Sequence, residues 1–178
     1  MRGGTLRSHG MMTGVPAQIP LLIRPVRPAD GSVLLDLDRR CWSPAHDVTE
    51  GPALANGTFV GEHPEDIVVA ELAGQVVGYV KVAPPTTLPS NAHVQQVQGL
   101  LVEPGVRGSG IGRALLDAAI GLARQRGARR IWLRVLSTNP AAQRLYASAG
   151  FTVEGVLRGE FRRDGVDVDD VLMGRRLD

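Results

Sequence analysis

A cluster of glycines precedes a predicted helix in the stretch VEPGVRGSGIGRALLDAAI, residues 102–120. Glycine is costly inside helices and weak in strands, so Gly108, Gly110 and Gly112 need a specific reason at the point where a helix must begin. A helix N-terminus offers unpaired N–H groups and the positive end of the helix dipole. Glycine also lets a ligand come close to the backbone. The pattern therefore predicts that a large anion binds at this helix start.

Three nucleotide-binding motifs compete for this loop. A Walker A loop requires Lys and Ser or Thr after its last glycine, and the sequence Gly112-Arg113-Ala114 excludes it. A dinucleotide fingerprint requires an acidic residue at the end of the next strand, which here ends LRVLST. The third motif, R-x-x-G-x-G, fits residues 107–112 as they stand.

That motif and the stretch NPAAQRLYASAGF, residues 139–151, together resemble the two cofactor motifs of the GNAT superfamily of acyl-CoA N-acyltransferases. The resemblance covers roughly residues 20–177. It implies an α/β fold: a mixed, mostly antiparallel central sheet flanked by helices, with a parallel β-α-β unit that binds the cofactor. The tail DGVDVDDVLM, residues 164–173, resembles the branch with amino-acid and phosphinothricin N-acetyltransferases. The alternative to a cofactor site is a glycine-rich turn whose only role is to let the helix pack closely on a strand.

The resemblance also implies acetyl-CoA as co-substrate, and no metal is expected. Residues 107–113 would wrap its pyrophosphate, the backbone of 100–102 would pair with the pantetheine amides as an added strand, and Asn139 would contact the pantetheine. Arg107 and Arg113 are either phosphate ligands or ordinary surface residues. The implied cofactor-binding residues are Leu100, Leu101, Val102, Arg107, Gly108, Ser109, Gly110, Ile111, Gly112, Arg113, Asn139 and Tyr146.

The implied reaction is direct transfer of the acetyl group to a primary amine, on a small molecule, peptide or protein. The amine must lose a proton, the tetrahedral oxyanion needs a hydrogen-bond donor, and the departing thiolate benefits from a proton. Tyr146 is the candidate catalytic acid beside the thioester sulfur, with ordinary helix packing as its alternative role. Gln96 stands where many relatives carry a Glu base, so a water chain, His93 or an acid from another loop must serve. A non-catalytic module that binds acyl-CoA is the alternative function.

Several other residues have reactive or ionisable side chains, and structural roles are expected for them. Cys41 lies on an apolar helix stripe and is expected in the core, and Glu103 is expected at a strand end on the surface. Asp167, Asp169 and Asp170 are interpreted as a solvated hairpin in preference to a substrate-facing cluster. The four histidines have no metal-ligand spacing.

The elements that position these residues follow from periodicity, in the order β-α-(α)-β-β-β-α-β-α-β-β. A strand is predicted at 21–26, and the bracketed, weakly helical segment lies within 43–66. Asp30 and Asn139 are predicted helix N-caps, and the helix after the glycine loop is predicted over roughly 109–126. Its predicted apolar stripe is Ile111, Leu115, Ala118 and Leu122.

Length, composition and charge limit the class of protein and its partners. The 178 residues, 43% hydrophobic and 21% charged, suit one globular domain, expected over 19–178 behind a flexible tail at 1–18. A net charge of +2 is too small to indicate nucleic-acid binding. The single cysteine excludes an internal disulfide framework and favours the cytoplasm. The sequence has no apolar run long enough for a membrane span and no segment that resembles a secretory signal. A homodimer is possible from the sequence.

Overall fold

The computed structural model describes residues 20–43, 46 and 63–178. The predicted tail at 1–18 and most of the predicted weakly helical segment lie outside these residues. The helices of the described part are α1 (Gly31–Cys41), α2 (Ile111–Gln125) and α3 (Pro140–Ser148). The strands there are β1 (Leu21–Pro25), β2 (Ile67–Leu72), β3 (Gln75–Ala83), β4 (Val94–Val102), β5 (Arg130–Leu136), β6 (Thr152–Arg163) and β7 (Val166–Arg176).

The strands form one sheet in the order β1-β2-β3-β4-β5-β7-β6. Every neighbouring pair is antiparallel except β4 and β5, which are parallel and joined through α2. The predicted mixed, mostly antiparallel sheet with one parallel β-α-β unit is therefore confirmed. No helix in the described part of the chain is long and apolar enough to cross a membrane.

The parallel strands β4 and β5 stay paired over only part of their length. The pairing runs from Val94 to Val97, after which β4 continues along β3 and β5 continues along β7. At the same point β4 contains one extra residue, because Lys81 and Val82 of β3 pair with Gly99 and Val97 and leave Gln98 unmatched. Such a bulge bends a strand and increases its twist. The bulge at Gln98 therefore explains why β4 turns away from β5.

Two apolar cores lie on opposite faces of the sheet. One packs α2 and α3 against side chains such as Val97 and Leu133, and the other packs Leu34 and Leu37 of α1 against Tyr79 and its neighbours. The predicted stripe of α2 is only half right. The buried residues are Ile111, Leu115, Leu116, Ala119, Ile120 and Ala123. A helix lying across a broad sheet buries two adjacent rows of side chains, whereas the prediction followed a single row.

The two predicted N-caps differ in the structure. Asn139 Oδ1 accepts a hydrogen bond from the Ala142 N–H at 3.1 Å, as expected of a cap. Asp30 stands at the start of α1, but its side chain makes no capping bond there. It instead accepts from Nη1 and Nη2 of Arg24 at 2.7 and 2.9 Å, and thereby ties α1 to β1.

Candidate active site

A cleft of about 940 Å³ opens where β4 and β5 separate. Its walls come from β4, the glycine loop, β5, α3, β6 and β7. Of the twelve cofactor-binding residues predicted from the sequence, ten line this cleft. The two that do not are Ser109 and Ile111: the hydroxyl of Ser109 donates to the Val106 carbonyl at 2.6 Å, and the Ile111 side chain is buried under α2.

The cleft reaches both faces of the sheet. Leu133 and Val135 belong to the core beneath α2, so the intervening Arg134 points to the opposite face, because strand side chains alternate. By the same alternation, Gln96 and Asp170 point to the α1 side. All three line the cleft, as do residues of the glycine loop and α3 on the other face. A molecule bound in the cleft is therefore accessible from both faces.

The glycines of the loop have two different roles. Gly108 and Gly110 have φ values of +81° and +88°, a region that side chains other than Gly, Asn and Asp rarely adopt. A Cβ at either position would meet no atom within 4 Å, so the space in front of them is open. Gly112 is different, because a Cβ there would lie 3.2 Å from Leu145 Cδ2 of α3. The close-packing interpretation therefore applies to this third glycine.

The two arginines of the loop make specific contacts. Arg107 Nε donates to the Val102 carbonyl at 2.9 Å and fastens the loop to the end of β4. Arg113 contacts Asp117 one turn further along α2 and donates to the Ser148 carbonyl of α3 at 3.0 Å. Both arginines also line the cleft.

The backbone of β4 presents alternate residues to the cleft. The Glu103 N–H donates to Val77 of β3 at 2.8 Å, and the Leu101 carbonyl also lies against β3, 2.7 Å from a Cβ built on Gly78. Leu100 and Val102 therefore direct their backbone groups away from β3, towards the cleft. Of the three predicted strand residues, these two are the ones with main-chain groups available to a ligand.

Tyr146 lies in the wall of the cleft on α3. Its side chain is only 8% exposed and packs beside Phe151, with 6.1 Å between the ring centroids. Burial raises the pKa of its phenol to about 12. The phenol thus keeps its proton throughout the neutral and moderately alkaline range, and it can act as a hydrogen-bond donor.

The candidates for a general base are few in the described residues. Gln96 lines the cleft, where its amide cannot take a proton. His93 is exposed and does not line the cleft, because it lies at the far end of β4, beside the paired segment. His46 and Asp170 do line it. Neither was proposed as a base from the sequence.

The interpretation of the terminal aspartates as a solvated hairpin is wrong for Asp170. This residue is 1% exposed and forms an ion pair with Arg134 Nε of β5. Asp169 is partly buried and accepts from the Gly159 N–H at 2.9 Å, whereas Asp167 is exposed. Sequence reasoning missed Asp170 and Arg134 because neither has a motif. The available signal was strand alternation, which places Val168 and Asp170 on the same face.

Cys41 and Glu103 occupy the structural roles expected of them. Cys41 is 6% exposed in the core beneath α1, and burial raises the pKa of its thiol, so it carries little nucleophilic thiolate. Its Sγ lies 3.9 Å from the Val102 carbonyl, at the edge of the cleft. Glu103 pairs with Arg40 of α1 at 2.7 Å near the surface.

A sequence model of the acetyltransferase (GNAT) family matches residues 32–151, about two thirds of the chain. The chain therefore belongs to the acetyltransferase (GNAT) family, as its two motifs implied. An uncharacterised N-acetyltransferase of Mycobacterium tuberculosis is 32% identical over 111 residues, which are 62% of this chain and 67% of that protein. These findings place the chain among the acetyltransferases.

Solved structures share the fold. A putative acetyltransferase from Salmonella typhimurium, solved with its cofactor acetyl-CoA, has a TM-score of 0.80 at 23% identity and covers 89% of this chain and 95% of its own. A phosphinothricin acetyltransferase from Sinorhizobium meliloti in complex with acetyl-CoA has a TM-score of 0.75 at 23% identity, covering 88% of each chain. At these identities the likeness concerns the fold.

Proposed function

We propose that the chain transfers an acetyl group from acetyl-CoA directly to a primary amine of a small molecule or peptide. One observation carries the proposal. The cleft where β4 leaves β5 joins the glycine loop and Tyr146 on one face of the sheet to Gln96 and Arg134 on the other. Such a passage suits two substrates that meet in the middle from opposite sides.

The glycine loop suits the pyrophosphate of acetyl-CoA. The open space before Gly108 and Gly110 admits a phosphate close to the backbone. The N-terminus of α2 supplies free N–H groups and a favourable dipole, and Arg107 and Arg113 add positive charge. Gly112 contributes indirectly, since it allows α3 to pack close to the loop.

The separated part of β4 suits the pantetheine. The backbone groups of Leu100 and Val102 that face the cleft lack a β5 partner, so an extended ligand with amides can pair with them. The Val102 carbonyl already accepts from Arg107, so the Val102 N–H and both backbone groups of Leu100 are the available partners. Asn139 and Tyr146 border the same channel from α3.

Tyr146 assists the departure of the thiolate when the C–N bond forms and the C–S bond breaks. A thiol has a pKa of roughly 8.5, well below that of the phenol, so complete proton transfer from Tyr146 is unfavourable. Its contribution is a hydrogen bond to the sulfur as negative charge develops there. Gln96 cannot accept the proton from the amine, and the Asp170 carboxylate is held in its ion pair with Arg134. We therefore assign the proton to water, with His46 at the cleft lining as the described residue that could receive it from there.

The direct test is turnover with purified protein. Acetyl-CoA is incubated with a panel of amines, free thiol is followed, and the product is identified by mass as the acetylated amine. Amine-dependent thiol release with stoichiometric product is expected. Tight acetyl-CoA binding without turnover across the panel would contradict catalysis and favour a non-catalytic binding module.

A further inference from the structure

Arg134 lies at the end of the cleft that opens on the α1 side, and three groups hold its guanidinium in place. Asp170 Oδ2 accepts from Nε, and Glu160 Oε1 accepts from Nη2 at 3.2 Å. The ring centroid of Phe161 lies 5.9 Å from the guanidinium carbon. The Asp170 side chain is only 2% exposed. A carboxylate buried this deeply is stable only when it is paired, so the pair fixes the position of Arg134.

A second bulge builds the wall beside Arg134. Between Leu157 and Phe161 of β6, the chain advances four residues while the paired residues of β7, Asp170 and Val168, advance only two. Asp169 holds this bulge by accepting from the Gly159 N–H at 2.9 Å. The bulge brings Glu160 and Phe161, which lie at its end, into contact with the Arg134 guanidinium.

One nitrogen of the Arg134 guanidinium has no partner in the part of the chain that the structure describes. Nη1 of Arg134 makes no hydrogen bond with any residue that the structure describes, although the other two nitrogens are engaged. The side chain is 39% exposed and lines the cleft. Among the described residues, Nη1 is therefore a positioned donor without a partner, on a side chain that lines the cleft on the α1 side.

The charges in contact with Arg134 decide what this donor accepts. Asp170 and Glu160 place two negative charges against one positive charge, so a further carboxylate would be repelled. A neutral carbonyl oxygen meets no such repulsion and can accept a hydrogen bond from Nη1.

We propose that Arg134 positions the acceptor through a neutral carbonyl oxygen beside its amine, so that α-amino amides, including peptide N-termini, are preferred over free amino acids and simple amines. This inference rests on the proposed acetyl transfer. Gln96 agrees with it independently. An α-amino group of a peptide has a pKa of roughly 7.7–8.0 against roughly 10.4 for a lysine-like amine, so it is substantially neutral near pH 8 without an enzymatic base.

The test compares acceptors that differ only beside the amine. Phenylalaninamide, phenylalanine and phenethylamine form one series, and the corresponding alanine and serine compounds form two others. The amide is expected to exceed both partners by about ten-fold in kcat/KM calculated per neutral amine, the size of one hydrogen bond to a charged group. Equal use of amide and simple amine, or preference for the free amino acid, would overturn the inference.

Arg134→Lys separates positioning from folding. Lysine keeps the charge that Asp170 needs, but it lacks the planar fork that also serves Glu160 and a ligand. The preference for the amide over the simple amine should then largely disappear. A merely structural role would lower kcat/KM for all acceptors in a series equally, and that result would contradict the inference.

Glu160→Gln tests whether the carboxylates beside Arg134 repel a free amino acid. Removing one of the two carboxylates should improve phenylalanine relative to phenylalaninamide by about three- to ten-fold. Glu154→Gln is the matched control, because Glu154 lies on the same strand, is similarly exposed and pairs with Arg130 away from the cleft. An unchanged ratio in Glu160→Gln would contradict the proposal. If none of the three series is acetylated, the acceptor inference is wrong. The proposed acetyl transfer is tested separately, by acetyl-CoA binding and by turnover with the wider amine panel.

Discussion

Tyr146 is buried, yet it borders the cleft, and this combination defines its proposed role at the residue scale. Its phenol lies in an apolar wall beside Phe151, where a hydrogen bond to developing negative charge is stronger than in water. The same burial keeps it protonated. An ordinary core tyrosine would share the burial but would have no access to the cleft.

Tyr146→Phe should lower kcat by roughly ten- to hundred-fold, the range expected for one hydrogen bond to a charged leaving group. The ring and its packing are conserved, so acetyl-CoA affinity should change little. Steady-state kinetics with the best acceptor, beside calorimetric binding of acetyl-CoA, give both values. A Phe variant with wild-type kcat under conditions where chemistry limits the rate would exclude the donor role.

The pH dependence of kcat/KM follows from Tyr146 and Gln96 together. A phenol with its pKa raised to about 12 by burial is protonated below that pH, so its donor function is present at neutral and moderately alkaline pH and is lost only as the pH rises through about 12. No carboxylate stands at position 96. The rate should therefore rise with pH and level off at the pKa of the free acceptor amine. A pH–rate profile with a descending limb near pH 8–9 would contradict this assignment.

At the scale of elements, two bulges shape the site, and a buried ion pair anchors the helix on its α1 side. The bulge at Gln98 separates β4 from β5, and the bulge before Phe161 brings β6 onto Arg134. The pair of Arg24 with Asp30 fixes α1 against β1, beneath the side of the sheet where the acceptor would enter.

Asp30→Ala should lower the free energy of unfolding by about 3–5 kcal/mol, because it leaves the buried guanidinium of Arg24 without its main partner. Asp36→Ala is the control on the same helix, since its pair with Arg39 is exposed and is worth at most about 1 kcal/mol. Arg24 lowers the pKa of Asp30, so the stabilisation is present at neutral pH and is lost as the pH falls below the usual range of an aspartate. Urea denaturation at pH 7 of both variants makes the comparison; equal losses would contradict it.

At the scale of the whole molecule, local patterns predicted most of the fold. Periodicity located α2 to within about two residues at its start, and the cap at Asn139 located α3. Nonlocal features escaped prediction for physical reasons. The extra residue at Gln98 exists only relative to β3, and the burial of Asp170 depends on Arg134, 36 residues earlier in the chain. Neither relation leaves a pattern within a single segment.

The same distinction applies to the site. The glycine loop and Tyr146 belong to contiguous motifs, so the sequence indicated them. The acceptor side is assembled from β4, β5, β6 and β7, whose register no local pattern specifies. Gln96, which the resemblance puts where many relatives carry a Glu, lines the cleft. Arg134 could be identified as a candidate only from the pairing of β5 with β7, which brings it next to Asp170.

The most direct test of the account is acetyl-CoA binding to Gly110→Asn and Gly110→Asp. Both side chains tolerate the left-handed backbone found at Gly110, and they differ essentially in charge alone. Gly105→Asp, on the same loop but outside the cleft lining, controls for added charge. If the pyrophosphate lies at this helix start, calorimetry will show the Asp variant binding at least about ten-fold more weakly than the Asn variant, with Gly105→Asp near wild type. Equal affinities of the Asn and Asp variants, with both proteins folded, would contradict the proposed cofactor site.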